Sequence, residues 1–312
     1  MEKSTEKIPL EAMEIIKGVF SIGDSEIVDI ASVKEGMTNR SFLFTCKGQR
    51  YIIRIPGEGS GRLIKRSEEE AVYKAIAGKG LCDDVIYLNA EDGYKITRYI
   101  QSARVCNPMD WEDVAVCISK LKDFHNMQLC VAHEFDIFGK ILYYEQLRQA
   151  PSMYTDYEMT KNKVWKLKSF IDRLVKKKVL THMDAVSDNF LFTPQNEVQL
   201  IDWEYAGMQD PHVDIAMFCI YAGYDRALID HVIDLYFEGK QTFPEKVKCY
   251  CYLAVCGLLW SNWCEYKSRL GVKFGDYALK QYSYAREYSE IALTYIMEGN
   301  LCEEWNMSKE LS

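Results

Sequence analysis

Two hydrophobic rhythms divide the chain. Over the N-terminal third, apolar residues recur at every second position in short runs separated by turns. Residues 26–33, 40–47 and 50–55 read as strands, with Lys47-Gly48-Gln49 as a tight turn between the last two. The stretch 67–80 breaks that rhythm and reads as a helix, with Ser67 and Glu70 as a capping box and Gly78 and Gly80 as its stop. Residues 85–100 read as a hairpin turning at Asp92-Gly93. Past a connector at 101–109 the period lengthens. Val114, Ile118, Leu121 and Phe124 or His125 fall at helical spacing within 110–128, and helical patterns return at 160–178, 212–238, 244–268 and 276–298. Two short strands, 190–193 and 197–201, flank Pro194-Gln195-Asn196. The pattern predicts an α+β chain with a small β-rich lobe, 1–100, and a larger, mainly helical lobe, 101–312.

Composition adds limits. A length of 312 residues is more than one compact unit usually holds, in keeping with two lobes. Apolar residues at 48% and charged residues at 27% are ordinary for a globular chain that needs no staples. A formal net charge of −8 argues against a general nucleic-acid binder and mildly favours a cationic small-molecule substrate. The eleven Cys include no Cys-x-x-Cys pair, so they read as small core residues in a reducing cytosol and not as a zinc or disulfide framework. The N-terminal stretch has no apolar signal core, and the longest apolar run, 249–260, is too short to span a bilayer and reads as a buried helix. The expectation is a cytoplasmic protein without membrane insertion.

The candidate chemistry sits in "THMDAVSDNFLF" (181–192) and "LIDWEY" (200–205). The spacing His-x-Asp-x-x-x-x-Asn followed by a strand-borne Asp is that of a loop for moving a phosphoryl group. Such a transfer from ATP needs a carboxylate to orient the attacking hydroxyl and accept its proton, oxygen ligands for Mg²⁺, and a cation on the phosphates. Asp184 fits the first role. Asn189 and Asp202 can offer oxygens to the metal, and His182 organises the loop backbone. In the first lobe, "KEGMTNRSF" (34–42) lies between two strands, so backbone N–H groups of the turn at Gly36, Thr38 and Asn39 can face phosphates. Arg54, in "YIIRI", stands where a phosphate-holding cation is needed. Glu70 is its expected partner, in competition with the capping box on Ser67, while Glu69 is expected to face elsewhere.

Together these residues resemble the choline/ethanolamine kinase family, a branch of the two-lobed, protein-kinase-like fold shared with aminoglycoside phosphotransferases. The resemblance runs from about residue 35 to about 290. It implies Asp184 as catalytic base, Asn189 as a metal or loop residue, Asp202 on Mg²⁺ and Tyr205 near the substrate. "TRYI" (97–100) is similar to the family's hinge, which implies adenine beside Thr97, Tyr99 and Ile100. "LLWSNW" (258–263) resembles a Trp-x-x-Trp helix lining a choline pocket, and "FGDYA" (274–278) a nearby stretch with a pocket Tyr. Trp260, Trp263 and Tyr277 are the residues so implied. The helix 214–224 departs from some relatives by carrying Tyr221 and Tyr224 and no Glu. A quaternary ammonium has no N–H to donate, so aromatic faces suit it. The expected function is therefore ATP- and Mg²⁺-dependent phosphorylation of choline. Beside it stand a kinase for ethanolamine or another small hydroxyl compound such as an aminoglycoside, and a non-catalytic binding protein on the same fold.

Overall fold

The computed structural model describes residues 7–33, 39–175 and 177–297. The chain divides into two compact units: Met1–Arg104 with Leu191–Tyr205, and Val105–Phe190 with Ala206–Ser312. The segment 191–205, assigned by the sequence reading to the second lobe, thus groups with the first. Its strand Val198–Leu200 is tied there by the Leu200 N–H, which donates to the Leu81 carbonyl at 2.8 Å.

The first unit is an antiparallel five-stranded sheet in the order β1-β2-β3-β5-β4, made of β1 (Val28–Ser32), β2 (Asn39–Cys46), β3 (Gln49–Pro56), β4 (Val85–Leu88) and β5 (Lys95–Arg98). The period-2 pattern sets its faces. Phe42, Phe44 and Cys46 of β2, Tyr51, Ile53 and Ile55 of β3, and Tyr94 and Ile96 form one core with Ala12 and Ile16 of helix α1 (Leu10–Phe20). Between β2 and β3 the loop is the two residues Lys47 (φ 49°) and Gly48 (φ 72°), with Cys46 opposite Gln49. Both central residues are left-handed, as a tight hairpin with the native twist requires. Arg54 points away from Ile53 and Ile55, and it is paired in register with Ser41 on β2 and Lys95 on β5. A single turn, α2 (Ser60–Leu63), leads to α3 (Arg66–Ile76). The expected Ser67–Glu70 capping box is not formed, because α3 already begins at Arg66 and leaves Ser67 inside its first turn.

The second unit is helical: α4 (Trp111–Asn126), α5 (Ile137–Arg148), α6 (Tyr157–Leu174), α7 (His212–Ala222), α8 (Arg226–Phe237), α9 (Phe243–Arg269) and α10 (Tyr277–Met297). The single helical pattern expected over 212–238 is two helices, broken at Gly223 (φ 73°) and restarted by Asp225, whose carboxylate caps the Leu228 N–H at 3.0 Å. Thr242 and Glu245 form a reciprocal capping box on α9. From Val247 to Lys267 every residue of α9 is buried, and α5, α6, α7 and α10 pack around it. Gly257 permits the contact with α10: a Cβ there would lie 2.6 Å from the Gln281 carbonyl oxygen and 2.7 Å from the Ala285 nitrogen. Strands Val179–Thr181 and Gly207–Gln209 pair antiparallel, Leu180 opposite Met208, and carry the chain into the loop that starts at His182. Among the described residues no helix is long and apolar enough to cross a membrane. Cys46, Cys106, Cys117, Cys219, Cys249, Cys251, Cys256 and Cys264 are buried and form no disulfide among the described residues.

Candidate active site

In the first unit the candidate residues form a buried, charged cluster. The Arg54 guanidinium, 5% exposed, meets Glu69 fork to fork: Nη1 donates to Oε1, and Nη2 donates to Oε2 at 2.9 Å. Nη2 also donates to the Gly93 carbonyl at 3.0 Å. Arg66 joins from the first turn of α3, with Nη1 donating to Glu69 Oε2 at 2.7 Å and to Glu204 Oε2 at 2.9 Å. Asn39 closes the ring, its Nδ2 donating to Glu204 Oε2 at 2.8 Å while its Oδ1 accepts from Arg66 at 3.2 Å. Burial opposes the charge on Glu69, but the Arg54 guanidinium outweighs it and holds that carboxyl down at about 2. Glu204 goes the other way, pushed up by burial and then by the charge of Asp202, against Arg54 and Arg66.

Glu70, the expected partner of Arg54, instead pairs with Lys74 at 2.9 Å on the exposed side of α3. A helix turns by about 100° per residue, and starting α3 at Arg66 brings Glu69 to the sheet and takes Glu70 off it. Asn39, expected at the phosphates, has both ends of its amide engaged by Glu204 and Arg66. Gly36 and Thr38 lie outside the described residues. At the expected hinge, Thr97 is buried on β5, and its side chain acts on the carboxyl of Asp83, which burial pushes up. The Tyr99 N–H donates to the Arg50 carbonyl at 3.0 Å, so that amide belongs to the sheet, while Tyr99 and Ile100 are half-buried.

Asp202 follows the strand Val198–Leu200 in a left-handed conformation (φ 67°) that Asp tolerates better than most residues. Trp203, fully buried, anchors the turn by donating Nε1–H to the Leu200 carbonyl at 2.7 Å. The Asp202 carboxylate is half-buried and accepts no hydrogen bond from a described residue, and its charge acts on Arg54, Glu204, Tyr73 and Asp83. Among the described residues no three His, Cys, Asp or Glu side chains cluster as a complete metal cage. A metal that comes with nucleotide phosphates needs only one or two carboxylates from the protein, and the hard oxygen donor Asp202 suits Mg²⁺, whereas Glu204 is engaged by Arg66 and Asn39. Tyr205, expected beside the substrate, is buried within this first unit at 5% exposure.

In the second unit the loop 182–189 is held from behind. Asp214, on the first turn of α7 and fully buried, accepts the His182 N–H on Oδ2 and the Met183 N–H on Oδ1, each at 2.8 Å. Met183 is left-handed (φ 65°). The His182 ring is fully buried, so this residue shapes the loop and does not present itself to a solvent-borne substrate. Asp184 is half-buried. Asn189 Nδ2 donates to the Asp184 carbonyl at 2.8 Å and to its Oδ2 at 3.3 Å, which orients the carboxylate and leaves the amide oxygen of Asn189 to face a cation.

A row of rings leads toward this loop. Trp260 and Trp263 meet edge to face at 5.6 Å, Trp263 meets Phe274 at 5.4 Å, Phe274 stacks with Tyr277 at 6.2 Å, and Tyr277 meets Tyr221 at 6.0 Å. The Tyr221 hydroxyl then donates to Asp188 Oδ2 at 2.9 Å. Both Tyr221 and Tyr277 have hydroxyls pushed up, mainly by burial, with Asp184 among the charges acting on each. Trp260 sits at the inner end, its Nε1 2.8 Å from the Met217 sulfur. Sequence reasoning set Glu69 aside and passed over Arg66, Glu204, Asp188, Asp214 and Phe274. Asp188, Glu204, Asp214 and Phe274 lie inside stretches that had been singled out, so proximity in sequence was a usable signal for those four.

The model of the choline/ethanolamine kinase family matches residues 30–255. Protein LicA of Haemophilus influenzae is 27% identical over 262 residues, covering 79% of this chain and 76% of LicA. The crystal structure of choline kinase LicA from Streptococcus pneumoniae superposes with a TM-score of 0.77 at 27% identity, covering 90% of this chain and 99% of that one, and LicA has also been solved in complex with AMP. The aminoglycoside phosphotransferase APH(4)-Ia, in a thermostable mutant form, matches with a TM-score of 0.63 at 15% identity over 91% of this chain and 99% of its own, a likeness of fold.

Proposed function

From the premise that this chain belongs to the choline/ethanolamine kinase family, we propose that it transfers the γ-phosphoryl group of ATP to the hydroxyl of choline, giving phosphocholine and ADP. In this reading Asp184 accepts a hydrogen bond from the choline hydroxyl, aims it at the phosphorus and takes its proton as the O–P bond forms. Asn189 holds the Asp184 carboxylate through its Nδ2–H. Arg54, fixed by Glu69, supplies positive charge for the phosphates. Asp202 of the first unit and the Asn189 oxygen of the second are the donors that would hold Mg²⁺, which when bound would neutralise phosphate charge.

The observation that carries the choice of substrate is the row Trp263–Phe274–Tyr277–Tyr221. Ring faces attract a quaternary ammonium through their quadrupoles and accept its methyl groups without asking for hydrogen bonds. A site built for an aminoglycoside needs many carboxylates for its amines and hydroxyls, and the row offers one, Asp188. Ethanolamine is the second reading, because Asp188 and the Tyr221 oxygen at the end of the row can accept N–H bonds from a primary ammonium.

The test is Mg²⁺-dependent ADP release with choline, ethanolamine and kanamycin side by side, for the wild type and for Asp184→Asn. Choline is expected to give the highest kcat/KM. Asp184→Asn is expected to lower kcat by about 10²–10⁴ with ATP affinity nearly intact. Preference for kanamycin, or near-normal turnover by the variant, overturns the reading.

A further inference from the structure

Four residues of α3 are buried: Glu69, Val72, Tyr73 and Ile76. Glu69 and Tyr73 carry polar groups, and at a spacing of four they lie one turn apart on the same face. Opposite them stand two cations, Arg54 on β3 and Lys95 on β5, which face each other in the ladder. Arg54 takes Glu69. Lys95, 7% exposed, takes the other: its Nζ donates to the Tyr73 hydroxyl at 2.6 Å. Helix and sheet are thus joined by two rungs side by side.

The second rung is costly. An ammonium taken out of water loses hydration that one phenol oxygen does not replace. The shortfall is met electrostatically, since the charge of Lys95 acts favourably on Glu69 and on Asp83. Burial, followed by the charges of Asp83, Glu69 and Asp202, keeps the Tyr73 hydroxyl protonated. An apolar pair at these two positions would fill the same space without the cost, but it would not supply direction. Apolar packing such as that of Val72 and Ile76 tolerates a helix that rolls, and a hydrogen bond does not. Arg66 also grips Glu69, but it belongs to α3 and moves with it, and its bond to Glu204 ties only the first turn. A single rung at Glu69 leaves α3 a pivot. A second rung one turn along removes the pivot and fixes the roll. Roll matters because about 100° of it exchanges Glu69 for a neighbouring Glu in the run Glu68-Glu69-Glu70.

We propose that Lys95 and Tyr73 are positioning residues for the nucleotide: their bond sets the roll of α3 that presents Glu69 to Arg54, and so keeps the Arg54 guanidinium aimed at the phosphates. The proposal rests on the reading of Arg54 as the cation that serves the phosphates. A Lys–Tyr pair that merely fills the core would affect stability and leave ATP binding alone.

Calorimetric binding of Mg²⁺–ATP and steady-state kinetics on the whole chain separate these roles. Tyr73→Phe removes one oxygen and keeps the ring. It is expected to weaken ATP binding and raise KM for ATP by about three- to tenfold, with KM for choline changed less than about twofold. Lys95→Met keeps a long stem without the ammonium and is expected to lose as much or more, while Lys95→Arg keeps charge and donors and is expected to recover most of the loss. The path through Glu69 is tested by combination. In a Glu69→Gln background, where the first rung is already weakened, Tyr73→Phe is expected to change ATP affinity by less than about twofold. Wild-type ATP affinity in folded Tyr73→Phe overturns the proposal even if Tm falls, as does an equally large loss in the Glu69→Gln background. Arg54→Ala tests the reading beneath it. Normal ATP affinity in that variant overturns the reading of Arg54 and the proposal together, whereas a loss there with none in Tyr73→Phe overturns the proposal alone. Because ATP binding is read directly, the result holds whichever alcohol is phosphorylated.

Discussion

Replacing Glu69 by Gln probes the buried cluster at its most charged point. The Glu69 side chain is fully buried and accepts from two guanidinium groups, Arg54 and Arg66. Glutamine keeps the shape, but it removes the charge and turns an NH₂ toward one of those donors. The folded structure holds the Glu69 carboxyl at about 2, against an ordinary value of 4.5, and at neutral pH that displacement corresponds to about 3 kcal/mol. A figure of this size agrees with the cost of about 3–5 kcal/mol for breaking a buried ion pair by removing one partner. For a unit of this size the loss is on the order of 10 °C in Tm. Because the folded value lies below the unfolded one, the contribution is present above about 4.5 and fades as the pH falls toward about 2. The gap in Tm between wild type and Glu69→Gln should therefore narrow over that acid window. The control is Glu70→Gln, which disturbs only an exposed i,i+4 pair with Lys74 worth a few tenths of a kcal/mol. Thermal unfolding at pH 7 and across pH 5 to 2.5, read beside KM for ATP, gives the answer. A Glu69→Gln protein that melts with the wild type, or a larger loss in Glu70→Gln, refutes the reasoning.

Two further outcomes concern the second unit. Trp263→Ala should lower choline kcat/KM by about tenfold or more with ethanolamine affected less. Trp260→Ala should add a fall in Tm, since its ring packs inward against Met217; normal choline kinetics in a folded Trp263→Ala enzyme count against the aromatic row as a cation site. Gly257→Ala should destabilise by about 1–3 kcal/mol, because the new methyl meets α10 backbone at 2.6–2.7 Å, whereas Gly18→Ala in α1 meets nothing within 4 Å and should be neutral or slightly stabilising in the same melting assay.

What the sequence revealed was local. The sheet of the first unit was legible because Phe42, Phe44, Cys46 and Ile53, Ile55 alternate with polar neighbours, and the Lys47-Gly48 and Asp92-Gly93 turns punctuate them. Helix α1 escaped notice because its start lies close to the mixed-charge N-terminal stretch, and α5 because Ile137, Phe138, Ile141, Leu142, Tyr143 and Tyr144 spread its apolar residues around the axis. The Asp184–Asn189 loop was legible because one short segment holds both residues. The partner of Arg54 was not. Glu68, Glu69 and Glu70 are consecutive, so the choice among them depends on the rotational phase of α3, and one residue at its start decides it. Contacts such as His125–Asp214 and Tyr221–Asp188 join residues 89 and 33 positions apart, and no local period encodes them.

The burial of α9 from Val247 to Lys267 has a bearing on how such a site changes over generations. A helix packed by neighbours on every side offers few substitutions that do not require compensation elsewhere, so Trp260 and Trp263 are inherited with the scaffold. Phe274 stands differently. It sits between α9 and α10 in a stretch where Gly271, Lys273, Gly275 and Asp276 are exposed, and Gly271 and Gly275 have positive φ. Changes in that stretch meet solvent on most sides, and the middle of the ring row can be redrawn there while the core stays intact. Divergence in substrate preference among descendants of this chain is thus expected to accumulate at 271–276 and to spare the tryptophans.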